Sequence, residues 1–99
     1  MVDDWQVVVV GAGTMGAGIA QVYALNGFKT TLVDLDAESL ARAEKAIAIS
    51  TALLVKEQLA TANDAEQAKR LITFETTDRL DQILPTADLV VEAFSKIRR

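Results

Sequence analysis

The most constraining feature of this chain is an apolar strand that runs directly into a glycine-rich turn. The stretch from Val7 to Val10 is a continuous β-branched run, which is typical of a strand covered on both faces in a parallel sheet. The residues from Gly11 to Gly16 read GAGTMG and match the pattern Gly-x-Gly-x-x-Gly at the start of a helix. A second apolar run ends at Asp34. This order predicts a βαβ unit of the doubly wound α/β class.

Each glycine of this turn has a separate physical role in a dinucleotide site. Gly11 permits the sharp turn, Gly13 lets the backbone approach a pyrophosphate, and Gly16 lets the helix pack closely on the strand. The helix then directs its free N–H groups and the positive end of its dipole at the phosphates. Glycines also mark ordinary turns, so the interpretation depends on the strand before the motif and the acidic residue after it.

That acidic residue, Asp34, indicates which dinucleotide binds. A carboxylate there can accept both hydroxyls of an adenosine ribose and repels the 2′-phosphate of NADP, so the pattern favours NAD. The alternative is that Asp34 only begins a turn or caps the next helix. Met15 also has two interpretations, because it can contact the cofactor or fill the interface between helix and sheet.

Composition excludes several other classes of protein. The 99 residues suffice for one domain but are few for a complete doubly wound fold. A net charge of −4 with scattered basic residues argues against nucleic acid. The apolar runs are too short for a membrane span, and the acidic start does not resemble a signal peptide, so a cytoplasmic setting is expected. The absence of cysteine excludes thiolate nucleophiles and cysteine metal sites, and the absence of histidine removes the commonest general base and metal ligand. No metal site is predicted, and catalysis by this chain alone would have to rest on carboxylates, lysines or hydroxyls.

Strands and helices alternate along the rest of the chain. The first helix presents one apolar face, formed by Met15, Ile19, Val22 and Tyr23, and ends at Asn26-Gly27. The later predicted elements are a helix capped by Asp36 and running to about Ala60, a short helix with a capping box of Asn63 and Glu66, a strand at 71–74, a helical turn at 77–84 that stops before Pro85, and a strand at 89–91.

Right-handed crossovers give this four-stranded parallel sheet the order 3-2-1-4, with helices on both faces. The first and fourth strands then flank the switch point, where such sheets bind ligands. The glycine turn and the segment from Glu92 to Phe94 therefore lie on opposite walls of one crevice. Glu92 either lines this crevice near the nicotinamide half of the cofactor or is a solvated carboxylate at a strand end.

The stretches GAGTMGAGIAQVYALNGFKTTLVDLD and TADLVVEAF resemble the NAD-binding domain of the 3-hydroxyacyl-CoA dehydrogenases, which include 3-hydroxybutyryl-CoA dehydrogenases. The resemblance covers nearly the whole chain. It implies NAD as cofactor, an acyl-CoA substrate and the oxidation of a 3-hydroxyacyl-CoA to a 3-ketoacyl-CoA in fatty-acid oxidation or related metabolism.

The resemblance also implies roles for individual residues. The pyrophosphate region comprises Gly11, Ala12, Gly13, Thr14, Met15 and Gly16, while Asp34 takes the adenosine ribose and Ala93 and Phe94 pass the nicotinamide ribose. A serine that contacts coenzyme A in the family matches Ser50. The family's lysine falls at Glu57, with Lys56 beside it as a substitute. The alternative is that Ser50 and Lys56 are ordinary surface residues of the helix.

Two departures from the family limit what this chain is expected to do. Lys96 stands where the family usually has a glutamate. The further strands, the catalytic histidine and the helical domain that supplies most of the dimer interface are missing from the 99 residues. We therefore expect a partial Rossmann domain over residues 1–99 that binds NAD without catalysing. We also expect it to self-associate through the fourth strand or the exposed sheet face.

Two other hypotheses remain open. One is a non-catalytic structural module, an excised or engineered fragment in which the glycine turn serves the fold alone. The other is a different nucleotide user on the same fold, such as a flavin or sugar-nucleotide enzyme, against which the VEA segment argues.

Overall fold

The computed structural model describes residues 4–93. Strands and helices follow one another along this range in the order that the sequence predicts. Their bounds are β1 Gln6–Val10, α1 Thr14–Leu25, β2 Lys29–Asp34, α2 Ala37–Lys56, α3 Ala62–Leu71, β3 Ile72–Thr76, α4 Leu80–Ile83 and β4 Leu89–Glu92. The pairings are parallel and the strand order is β3-β2-β1-β4, which confirms the predicted sheet.

The sheet register brings the carboxyl ends of three strands together. Val10, the last residue of β1, lies opposite Val33 of β2 and Glu92 of β4. The loop after β1 therefore leaves the sheet between its two neighbouring strands. This is the edge at which the sequence predicts a ligand crevice.

The core face of α1 differs from the predicted one. Small residues cover the sheet, and the buried positions of α1 are Gly16, Ala17, Ala20, Gln21 and Ala24. Ile19 and Tyr23 pack partly against the core, but Met15 and Val22 are 58% and 59% exposed. The prediction of one apolar face through Met15 and Val22 was wrong, because α1 lies too close to β1 to admit large side chains between them.

The two faces of the sheet are covered by different parts of the chain. On one face α1, α2 and α3 pack with one another over Val7, Val9 and Leu32. Val8 and Val33 alternate with these positions and are also fully buried. The handedness rule for parallel crossovers places the connection between β3 and β4, which contains α4, over that second face.

Two predicted helix boundaries were displaced. The helix α2 ends at Lys56 rather than near Ala60, because Gln58 adopts a left-handed conformation with φ of 63°. The capping box of α3 is formed by Thr61 and Asp64, two residues before the predicted pair. The earlier frame competes successfully because Thr61 is the residue with extended backbone at the turn.

The last predicted helical turn is also longer than expected. A 3-10 turn at Thr77–Arg79 precedes α4, and a second one at Leu84–Thr86 includes Pro85. The proline was expected to stop the helical chain. It is tolerated because it occupies the first turn of the new segment, where its missing N–H is not needed.

Candidate functional site

The glycine loop is held against β2 and against the first turn of α1. Gly11 has φ of 106°, and its N–H donates to the Val33 carbonyl at 2.7 Å. A Cβ at position 16 would lie 1.7 Å from the Gly11 carbonyl oxygen. The predicted roles of these two glycines in turning the chain and packing the helix therefore match the geometry.

The start of α1 has no side-chain cap. Gly13 is the N-cap residue, with φ of −70° and ψ of −167°, a conformation open to any residue. No acidic residue lies in the first turn, and no side chain bonds to its N–H groups within residues 4–93. Gly13, Thr14 and Met15 are all exposed. These first-turn donors are consequently available to an external anion.

The carboxylate of Asp34 faces this loop. Its Oδ2 accepts from the Ala12 N–H at 2.8 Å, and its Oδ1 accepts from the Asp36 N–H at 3.0 Å. Each oxygen keeps acceptor capacity for one more donor. Asp34 thus closes a turn with the Asp36 N–H and keeps acceptor capacity for a ribose, while the capping role belongs to Asp36, which accepts from the Glu38 N–H.

A cleft of about 230 Å³ opens beside the loop, between α1 and α2. It is lined by Ala12, Gly13, Thr14, Ala17, Ser39, Arg42, Ala43 and Ala46. Ser39 and Arg42 were missed by the sequence reasoning. The available signal was a serine and an arginine three positions apart on the helix that follows Asp34, which places them on one face.

The end of β4, predicted to form the opposite wall of the crevice, lies beside the glycine loop. The Ala93 N–H donates to the Val10 carbonyl at 2.8 Å, and Ala93 is 1% exposed. Its Cβ lies 3.5 Å from the position that a Cβ on Gly16 would take. Glu92 is exposed. The loop and this strand end therefore adjoin, whereas Phe94 and Lys96 lie outside the described residues.

The residues predicted to contact coenzyme A lie away from the loop. Ser50 is eight residues beyond Arg42 on α2, about 12 Å along the axis at 1.5 Å per residue. Its hydroxyl donates to Gln21 Oε1 at 3.2 Å, and Gln21 Nε2 donates to Thr51 Oγ1 at 3.1 Å. Ser50 thus contributes to the contact between α1 and α2, and Lys56 is exposed at the end of α2.

The exposure of Met15 decides one of the earlier alternatives. Because more than half of its surface is accessible, Met15 does not fill the interface between helix and sheet.

Among residues 4–93 there is no group of three His, Cys, Asp or Glu side chains placed to hold a metal ion. The same part of the chain has no helix with the length and apolar character needed to cross a membrane.

Comparison with known proteins identifies the family. The family model described as "3-hydroxyacyl-CoA dehydrogenase, NAD binding domain" matches residues 6–97. Human mitochondrial hydroxyacyl-coenzyme A dehydrogenase is 40% identical over 90 residues, covering 88% of this chain and 29% of that protein. The 3-hydroxyadipyl-CoA dehydrogenase of Escherichia coli K12 is 42% identical over 97 residues, covering 97% of this chain and 20% of that protein.

A solved structure agrees with these matches. The (S)-3-hydroxybutyryl-CoA dehydrogenase of Ralstonia eutropha superimposes with a TM-score of 0.82 and 32% identity, covering 96% of this chain and 32% of that chain. This chain therefore spans less than a third of the length of these three relatives. Since the family model covers nearly every residue and the fold agrees, the chain belongs to the NAD-binding domain family of the 3-hydroxyacyl-CoA dehydrogenases.

Proposed function

We propose that this chain binds NAD as the cofactor-binding part of a dehydrogenase acting on 3-hydroxyacyl-CoA. The observation that supports this most directly is the uncapped first turn of α1 beside the Asp34 carboxylate. The first feature suits a pyrophosphate, and the second suits a ribose. When bound, NAD supplies the hydride acceptor for the oxidation of a 3-hydroxyacyl-CoA to a 3-ketoacyl-CoA.

In this proposal each part of the loop has a defined task. The backbone from Gly13 to Gly16, with the exposed residues Thr14 and Met15, faces the pyrophosphate, while Gly11 and Ala12 hold the loop in shape. Asp34 uses its two remaining acceptor sites for the 2′- and 3′-hydroxyls of the adenosine ribose. A 2′-phosphate would place a second negative charge beside this carboxylate, which disfavours NADP.

We assign the end of β4 to the nicotinamide side of the same crevice. Glu92 and Ala93 lie beside the glycine loop, and Phe94 follows them in sequence. Because Ala93 is buried, its contribution is to keep this wall free of bulk rather than to bond the cofactor. Ser50 and Lys56 remain our proposed contacts for coenzyme A, although the Ser50 hydroxyl proton already serves Gln21.

The whole reaction also needs a group that accepts the hydroxyl proton of the substrate. The 99 residues contain no histidine or cysteine, and histidine is the side chain most often used as a general base. We propose that the proton acceptor and the substrate-orienting surface come from residues outside this sequence. We also propose that the dehydrogenase acts in fatty-acid oxidation or related metabolism and that it is located in the cytoplasm. The purified chain is then expected to oxidise no NADH in the presence of acetoacetyl-CoA.

The binding proposal is tested by calorimetric titration of NAD and NADP into the wild type and Asp34→Ala. Hydrogen bonds to a charged acceptor contribute about 1.5–3 kcal/mol each, so NAD affinity should fall on the order of tenfold or more. NADP should lose less, because the repulsive charge is removed as well. The ratio of the two affinities is therefore the decisive readout, and Asp81→Ala, which removes an exposed carboxylate of α4, is the control for net charge.

A folded wild type that binds no NAD at millimolar concentration would instead favour the structural-module hypothesis. Unfolding midpoints of each variant are needed beside the titrations, since Asp34 also accepts from two backbone N–H groups. A loss of binding with an unchanged midpoint assigns the effect to the ribose contact.

We also propose that the chain forms homo-oligomers through the outer edge of β4. Within the described range β4 pairs with β1 alone, and Val90 is 44% exposed. An apolar strand with free backbone donors and acceptors is a template for pairing with a second copy. Sedimentation velocity should show a concentration-dependent dimer that Val90→Lys weakens. A monomer at every concentration would contradict this proposal.

A further inference from the structure

The cleft beside the glycine loop is lined by one positively charged side chain, Arg42, which is not part of the glycine motif. We propose that Arg42 is a positioning residue for the cofactor, which holds the pyrophosphate against the first turn of α1. This inference rests on the proposed binding of NAD and specifies a contact within that site. In the glycine motif, backbone N–H groups alone bind the pyrophosphate, and this inference adds a side chain of α2 to them.

The two walls of the cleft are complementary to one anion. On the α1 side, Gly13 and Thr14 present exposed backbone in a helix start without a side-chain cap. On the α2 side, Ser39 and Arg42 are the polar lining residues, and the remaining lining residues are alanines. A phosphate placed in the cleft would therefore meet N–H donors from one helix and a guanidinium from the other.

Hydrogen bonds orient the arginine toward the loop end of α2. Arg42 Nη2 donates to Ser39 Oγ at 3.2 Å, and Ser39 Oγ donates to Asp36 Oδ2 at 3.2 Å. Asp36 is the N-cap of α2, so this chain of bonds draws the guanidinium back along the helix toward its start. A guanidinium has five N–H donors, and the bond to Ser39 leaves the others for phosphate oxygens.

The three arginines that the structure describes differ in their partners. Arg70 lies 3.8 Å from Glu66, and Arg79 lies 3.8 Å from Glu75, each pair four residues apart in sequence. Within residues 4–93, Arg42 forms no ion pair, and its side-chain bond goes to a neutral hydroxyl. Its charge is thus available at the cleft, whereas the charges of the other two are partly neutralised.

Negative charge exceeds positive charge at this end of the sheet when a pyrophosphate is bound, so the Arg42 guanidinium would reduce the repulsion. Asp34 and Asp36 place two carboxylates at this end of the sheet, and a pyrophosphate adds about two more negative charges. The dipole of α1 offers about half a positive charge at its N-terminus. Arg42 adds a full charge, and it acts on a group that NAD and NADP share. It should therefore set affinity without setting the preference between them, in contrast to Asp34.

The test is a fluorescence titration of NADH and NADPH into the wild type, Arg42→Gln and Arg42→Lys. Arg42→Gln should weaken NADH binding on the order of tenfold, the range for one charge-assisted hydrogen bond. The ratio of NADH to NADPH affinity should stay as in the wild type, and the dependence of binding on salt should become shallower. The NADH affinity of Arg42→Lys should lie between those of the wild type and Arg42→Gln, because lysine keeps the charge but loses the planar donor pair.

Lys45→Gln is the matched control, since it removes one positive charge from the exposed surface of the same helix without touching the cleft. Equal NADH affinity in Arg42→Gln and Lys45→Gln would overturn the assignment of Arg42 while leaving NAD binding intact. A loss confined to NADPH would also overturn it, because it would place the guanidinium at the 2′-phosphate. A folded wild type that binds neither nucleotide would refute the proposed function itself.

Discussion

The helices on the shared face of the sheet begin in two different ways. In α2 the Asp36 side chain accepts from the Glu38 N–H, and in α3 Thr61 and Asp64 form a reciprocal capping box. Each of these helices also has an acidic residue in its first turn. The helix α1 has neither device, and its N-cap is Gly13.

This difference separates a helix start that is complete in itself from one that is open to a ligand. The first N–H groups of every α-helix lack partners within the helix, and capping side chains usually supply them. In α1 the start is fixed instead by the close approach of Gly16 to the Gly11 carbonyl. Backbone packing thus positions this helix while its first-turn donors stay exposed.

The largest expected effect comes from breaking that backbone contact with Gly16→Ala. The added Cβ would lie 1.7 Å from the Gly11 oxygen, so the loop and α1 must separate. We expect the free energy of unfolding to fall by about 3 kcal/mol or more, at the upper end of overpacking substitutions. Chemical denaturation measures this loss.

Gly18→Ala, two residues further along α1, is the matched control. Nothing lies within 4 Å of a Cβ at that position, and replacing a helical glycine with alanine stabilises by up to about 1 kcal/mol. If both substitutions changed stability alike, the close approach at Gly16 would not be what fixes the start of α1.

A smaller effect should follow from giving α1 the cap that it lacks, by Gly13→Asp. The backbone at Gly13 accepts any residue, and aspartate is a good N-cap, so the fold should keep its stability. The new carboxylate would occupy the first-turn donors and repel the pyrophosphate. We expect NAD affinity to fall about tenfold, equivalent to about 1.4 kcal/mol, in a calorimetric titration.

The complementary experiment removes the existing N-cap of α3, whose first turn already has side-chain partners. Thr61→Ala should cost about 1 kcal/mol of stability, because α3 loses the side-chain acceptor for the Asp64 N–H, and should leave NAD affinity unchanged. Should Gly13→Asp bind NAD as tightly as the wild type, the open start of α1 would have no part in binding.

Strands, turns and helices form largely according to residues that are close together in the chain, and local sequence patterns predicted these elements. The strand from Val7, the turn at Gly11 and the strand order followed from apolar runs, glycine positions and the handedness of crossovers. Helix ends were less accurate, because several residues compete to cap a helix. Thr61 prevailed over Asn63, and the left-handed Gln58 ended α2 early.

The site was predictable in part for the same reason. The glycine loop and Asp34 were identified from a strand, a glycine-rich turn and an acidic residue in a set order along the chain. Arg42 was not, because its relation to the loop depends on how α2 packs beside α1, and no local pattern encodes that distance. Met15 and Val22 were placed on one apolar face with Ile19 and Tyr23, since periodicity reports an apolar face without the space available to it.

By itself, the sequence determined the fold class, the dinucleotide type of site and the family, since each is encoded by residues close together in the chain or by motifs in a set order. Tertiary structure alone decided that small residues of α1 cover the sheet, that the Asp34 carboxylate bonds the loop at Ala12, and that Arg42 lies across a cleft from Gly13. These outcomes depend on distances between elements, which are set by how closely backbones can pack.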